Sequence, residues 1–297
     1  MRGIATMRTH LTPARSVPCF LAAIAGMMLL ASQPAAAQPK PQAIDDRASG
    51  IPAADLYRAQ TIVTGQSEAN RIVGFAACLE DVLIKVSGQL RLAGDPHLDP
   101  YKADAAKLVR DFSYRDEKGG KPKNDEQGTR DRSFVLTVDF DEPAVNNVLA
   151  RLGIKPWLSR RPVLGVFVEM QPGARRYVIA GDSKQTDLQR DSLLAAAAKR
   201  GMPVVLPDAA ALAGVGANEL ALAGIAHAKL AEVAATRGGE GLLIAQLVWD
   251  DQRLQWTTDW QLDWQGRSHQ WQLAAGTFDD AFRRGIGAAA QVIAGQQ

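Results

Sequence analysis

"LQWTTDWQLDWQGRSHQWQL" (residues 254–273) packs four tryptophans into twenty residues. Their spacing decides how the second half of the chain folds. Leu254, Trp256, Thr258, Trp260, Leu262 and Trp264 occupy alternate positions, and Gln255, Thr257, Asp259, Gln261 and Asp263 lie between them. This period-two pattern predicts a strand with one apolar and one polar face. Reading Gln265-Gly266 as a two-residue hairpin loop sets Trp260 opposite Trp271 and Leu262 opposite His269. A loop one residue longer would turn every later side chain to the other face, and glycine suits the second loop position. Treating "DDQR" (250–253) as a four-residue loop sets Trp249 opposite Leu254 and Leu247 opposite Trp256. The predicted result is a β-meander whose tryptophans share one face.

Such a face needs a cover. At about 150–250 Å² per buried aromatic, its five tryptophans exceed the apolar patch that a soluble protein leaves in water. Phe278, Phe282, Ile286, Ala289 and Ile293 form a helical stripe after the meander, and a helix over 218–236 offers a second cover. Trp264 and Trp271, nearest the turn, are the two that reach the sheet margin as candidate ligand contacts.

Upstream, "VLGVFVEM" (163–170) reads as a strand buried on both faces. "RRYVIAG" is its hairpin partner, "TDLQRDSLLAAAAKRG" a helix and "PVVLP" a short strand. "KPWLSRRP" (155–162) marks a seam. Before it, "LYRAQTIVTG" predicts a strand. Ser67 caps a helix ending at Ser87-Gly88, with Ile72, Phe75, Ala76, Leu79, Val82, Leu83 and Val86 on its buried stripe. A shorter helix, two strands ("FSYRD" and "RSFVLTVDF") and a helix stopped at Gly153 follow. The expected fold is α+β in two domains, 55–156 and 157–297, the second a mixed α/β sandwich with the meander packed on helices.

Residues 1–37 have the pattern of a signal peptide: Arg2, Arg8 and Arg15, then "CFLAAIAGMMLLA", then Ala35 and Ala37 at small-residue positions. Cleavage after Ala37 and a periplasmic location are the expectation, with 38–54 a flexible leader. Of 34 bases, the signal peptide removes three, leaving 31 against 32 acids. A near-neutral exported chain is not a nucleic-acid binder. Cys78 alone survives processing and reads as a small buried hydrophobe.

No P-loop, GxGxxG, HExxH, CxxC or GxSxG occurs, so no catalytic residue, cofactor or metal is assigned. His97, His227 and His269 have no partner at ligand spacing, and His227 reads as a packing or surface histidine. Asp259 and Asp263 share the polar face of one strand, about 13 Å apart, which suits neither glycosidase geometry. The mixed-charge stretch 115–132 supplies candidate partner contacts at Arg115, Lys118, Lys121, Lys123, Arg130 and Arg132.

The stretches "LYRAQTIVTGQSEANRIVGFAACLEDVLIKVSG", "RSFVLTVDFDEPAVNNVLARLGIKPWLSRRPVLGVFVEM" and "RGMPVVLPD", with the meander and final helix, resemble an uncharacterised proteobacterial family of exported proteins, the domain-of-unknown-function family 2066. The resemblance implies a Gram-negative envelope location and transfers no catalytic residue. The expectation is a non-enzymatic periplasmic protein that works by contact with an envelope protein partner. The alternative is a module for peptidoglycan or another glycan, or an unrecognised hydrolase. Peripheral contact with anionic membrane through "KPWLSRRP" is a third option.

Overall fold

Two sheets, each with its own apolar core, carry the chain. The computed structural model describes residues 53–117, 132–217 and 221–295. The signal peptide and all but the last two residues of the expected leader lie outside the described residues, as do Lys118, Lys121, Lys123 and Arg130; Ala53 and Ala54 are helical instead. All described residues fall within one unit, Ala43–Gln297.

The first sheet orders β1 (Arg58–Thr64), β3 (Ser133–Phe140) and β2 (Val109–Asp116), all antiparallel. A one-turn α1 (Ala53–Leu56) precedes it. The long α2 (Glu68–Ser87) begins at Ser67, whose hydroxyl accepts from the Asn70 amide at 3.3 Å, and ends at left-handed Gly88. Its buried stripe is Phe75, Cys78, Leu79, Val82, Leu83 and Val86, while Ile72 stays exposed. The predicted second helix breaks into a short α3 (Asp99–Ala103) between 3₁₀ turns, and Pro100, with no amide hydrogen to bond back, separates it from the turn before. α4 (Glu142–Arg151) follows β3, capped by Asp141.

The second sheet runs β5 (Tyr177–Val178), β4 (Leu164–Gln171), β7 (Gly241–Asp250), β8 (Gln255–Trp264), β9 (Arg267–Ala275), with β6 (Val204–Val205) also pairing with β4. β4 pairs in parallel with β7 and β6, and the meander is antiparallel. The fold is therefore α+β with a mixed second sheet, as expected. Trp260 pairs with Trp271 and Leu262 with His269. Gln265 and Gly266 both have positive φ (49° and 73°), as a two-residue hairpin turn requires.

The first meander turn differs from expectation. Trp249 pairs with Trp256, and the loop is 251–254. The Asp250 carboxylate accepts from the amides of Gln252 and Arg253 at 2.9 and 3.1 Å, which moves the turn on by one residue. Leu254 therefore leaves the apolar face and stands 70% exposed with φ 51°. The pairing shifts by two residues, an even step, so every other side chain keeps its predicted face.

The tryptophan face packs on α8 (Phe278–Ile293) and on α5 (Asp187–Lys199), through Phe282, Ile286, Ala289, Leu193, Ala196 and Ala197. The second cover is thus α5. The 218–236 segment is shorter than expected: its helix α7 spans only His227–Ala235 and covers the opposite face, with Leu230 and Ala234 against Phe167 and Leu242. α6 (Ala209–Gly214) packs on that same side through Leu212. The helix cannot begin earlier because Leu222 lies in a 3₁₀ turn whose amide is held by the buried Glu169 carboxylate at 2.8 Å.

Candidate ligand cleft on the polar face of the meander

α7 covers only part of the sheet's second face. Beyond its first turn, the polar side of β7–β9 opens into a cleft of about 510 Å³. Its floor is Gln246, Asp259, Gln261, Gln270 and Gln272, and its wall is Leu222, Ala223 and His227. Strand pairing produces this row: Gln261 faces Gln270, and Asp259 faces both Gln246 and Gln272. The same period-two pattern that sends tryptophans inward sends amides outward.

Glu169 anchors the base. It is 1% exposed and receives the Arg176 guanidinium at 3.2 Å, the Leu222 amide at 2.8 Å and the Gln246 amide group at 3.0 Å. These three donors fix the wall to the floor.

At the α7 end, His227 Nδ1 lies 2.9 Å from Asp263 Oδ2 and 3.0 Å from Gln261 Nε2. Hydrogen counting resolves the pair. Gln261 Nε2 has two hydrogens, which go to Asp263 Oδ1 at 3.0 Å and Ser268 Oγ at 2.9 Å. The Asp263 carboxylate can only accept, so Nδ1 carries a proton and donates it to Asp263. Burial disfavours the Asp263 carboxylate, but bonds from Gln261, Ser268 and His227 outweigh it and hold the carboxyl below its usual range. Ser268 bonds to Asp263 and Gln261, so it stands on the carboxylate side of the pair and not in a serine–histidine relay.

The floor amides are partly committed. Gln270 donates to Gln261 Oε1 at 3.1 Å and Gln272 donates to Asp259 at 2.6 Å. Each bond uses one of the two hydrogens on its amide nitrogen, and the carbonyl oxygens of Gln246, Gln270 and Gln272 accept nothing from within the row. The cleft thus alternates donors and acceptors, chemistry that matches hydroxyl and amide groups.

Most of the described sequence candidates lie elsewhere. Trp264 and Trp271 are half-buried against the α8 core; the Trp271 ring stacks on Trp260 at 6.3 Å, and Trp260 and Trp271 also line the cleft. Arg115 is exposed on β2 opposite Val135, and Arg132 pairs with Asp116 at 3.4 Å. Among the described candidates, Trp271 lines the cleft, and Trp264, Arg115 and Arg132 do not. His227, read as a packing or surface residue, lines it. The missed signal was in the odd positions of the meander strand, where glutamine recurs. Among the described residues, no cluster of His, Cys, Asp or Glu is arranged to hold a metal, and no helix is long and apolar enough to cross a membrane.

No curated protein matches this chain. Residues 51–158 match a family model described as Domain of unknown function (DUF8605), which spans the first sheet and stops before β4, so the cleft lies outside it. This corrects the resemblance drawn from the sequence: the matching domain is a different one from family 2066, and the quoted stripes and buried strands were patterns that any α+β core of this kind produces.

Proposed function

We propose that this is an exported cell-envelope protein that binds a glycan through the polar cleft on β7–β9. The carrying observation is the row Gln246, Asp259, Gln261, Gln270 and Gln272 beside His227, a dense set of hydrogen-bonding groups around about 510 Å³. Pockets of this size take small ligands, and polar groups fixed by their own neighbours bind hydroxyls without reorganising. The leader pattern of residues 1–37 supports envelope location. Ligand contact is carried by this hydrogen-bonding row, with Trp260 and Trp271 also lining the cleft.

The test is titration with N-acetylglucosamine oligomers and co-sedimentation with purified peptidoglycan. Gln270→Ala and Gln261→Leu should each weaken binding by about tenfold, the effect of one or two lost hydrogen bonds. No saturable binding by the parent protein to either material would sink the reading.

The protein-contact reading keeps one specific support. Ile62 stands 60% exposed on the outer face of the first sheet, beside Val135 and near Arg115. A partner captured by mild crosslinking of envelopes, and lost with Ile62→Lys, would favour it.

A further inference from the structure

A second pocket, of about 720 Å³, lies where the two sheets meet. One side is α1, β1 and α2, giving Asp55, Arg58, Ala59, Gln60, Asp81 and Lys85. The other is α5 and β6, giving Leu194, Ala197, Ala198, Lys199, Met202 and Val204. Its lining is apolar along α5 and charged at its α2 end.

The charges at that end do not balance. Lys85, Arg161 and Arg200 are 7%, 1% and 5% exposed, and among the described residues Asp81 is the buried carboxylate beside them. Asp81 is already shared by Lys199 at 2.7 Å and Arg200 at 3.4 Å. Arg58 is matched by Asp55 and Asp139 at 3.3 and 2.7 Å. Of the three cations that line the pocket, Arg58 and Lys199 thus have carboxylate partners and Lys85 has none among the described residues, while Arg161 and Arg200 lie just behind the lining.

Two of the cations have no carboxylate partner among the described residues and rest on main-chain oxygens. Lys85 Nζ donates to the Asp55 and Arg58 carbonyls at 3.0 and 2.7 Å. Its ammonium has a third hydrogen. The Arg161 guanidinium donates to the carbonyls of Lys85, Arg200 and Gly201 and lies over the Trp157 ring at 4.1 Å. Its Nε is buried with no hydrogen-bond partner among the described residues. Gly201 makes the approach feasible, since a Cβ there would meet Lys85 Cγ at 2.9 Å and Arg161 Nη1 at 3.0 Å. Interior cations without counter-charge are costly, and an anion from outside would offset that cost.

We propose that this pocket binds an anionic amphiphile, with its carboxylate on Lys85 and Lys199 and its alkyl body along Leu194, Ala197, Ala198 and Met202. The apolar wall specifies the body and the Lys85 ammonium, which has a hydrogen to spare and no carboxylate partner among the described residues, specifies the sign of the head. The site is separate from the meander cleft, and its ligand differs in kind from a neutral glycan.

The experiment titrates the full chain with dodecanoate, dodecanol and dodecyltrimethylammonium, each below its micelle concentration, by calorimetry and native mass spectrometry. The expected result is one saturable dodecanoate site, with the alcohol at least about tenfold weaker and the cation weaker still. Lys85→Met should weaken dodecanoate by about tenfold or more and leave dodecanol unchanged. Ala198→Trp fills the pocket from an exposed helix position and should abolish binding of both, with thermal unfolding confirming a folded chain. Equal affinity for the three head groups, dodecanoate binding that survives both substitutions, or no binding at all would overturn the proposal.

Discussion

Lys85 shows how far one side chain departs from its ordinary chemistry. Burial pushes its ammonium down to about 8 from 10.5, with Asp81, Arg161, Asp55 and Cys78 as the charged or titratable neighbours. The unfolded chain then binds this proton more tightly than the folded one, so stability rises with pH from about 8 upward. Cys78 acts in the opposite sense: burial pushes its thiol up to about 12 from 9.0, so its contribution falls above pH 9. Lys85 therefore dominates between these limits. Urea midpoints of the parent protein should correspond to a gain of about 1 kcal/mol between pH 7.5 and 9, and Lys85→Met should flatten that rise. A parent profile that falls over this interval would show the ammonium to be better solvated than its surroundings indicate.

Among elements, the seat of α8 on the meander depends on what one residue lacks. A Cβ at Gly285 would come within 2.1 Å of the Trp260 ring, which is 2% exposed and cannot retreat. Gly285→Ala should cost about 1–3 kcal/mol by overpacking, read from chemical denaturation, and a neutral result would mean that the helix slides freely on the sheet. The hairpin turn makes the reverse point. Gln265 holds φ 49° with an ordinary side chain, a region where asparagine is at ease. Gln265→Asn should raise stability by on the order of 0.5 kcal/mol, seen as a higher melting temperature, because Asn-Gly is the favoured pair for this turn. Both elements were readable in the sequence, since periodicity located the helix stripe and loop length set the register. The Gly285 contact was not, because a helical glycine looks the same whether it faces solvent or a tryptophan ring.

For the whole molecule, the two sheets are joined through buried polar contacts as well as apolar ones. Trp157 donates its amide to the Val86 carbonyl at 2.8 Å, and Arg161 ties the end of α2 to the end of α5. Arg161→Ala leaves three main-chain oxygens without that donor and should cost about 2–4 kcal/mol. It should also turn a single unfolding transition into two, when fluorescence of the tryptophan-rich sheet is compared with circular dichroism of the whole chain. Coincident transitions in the variant would place the coupling in apolar contacts instead. "KPWLSRRP" was legible as a seam but not as a clamp, because nothing in eight residues says that the second arginine points inward.

The sequence by itself determined the α+β class, the tryptophan face, the register at Gln265-Gly266, the cap of α2 and the helix that closes the chain. Each is a matter of local periodicity or a turn of fixed length. Only the tertiary structure decided which helix covers which face, where Leu254 goes, and that His227 meets Asp263 beside a row of glutamines. It also decided that Lys85, Arg161 and Arg200 come together, from three segments far apart in the chain. Alternation fixes the direction in which a side chain leaves its strand. What it meets there depends on the packing of distant segments, and both candidate sites are built from such meetings.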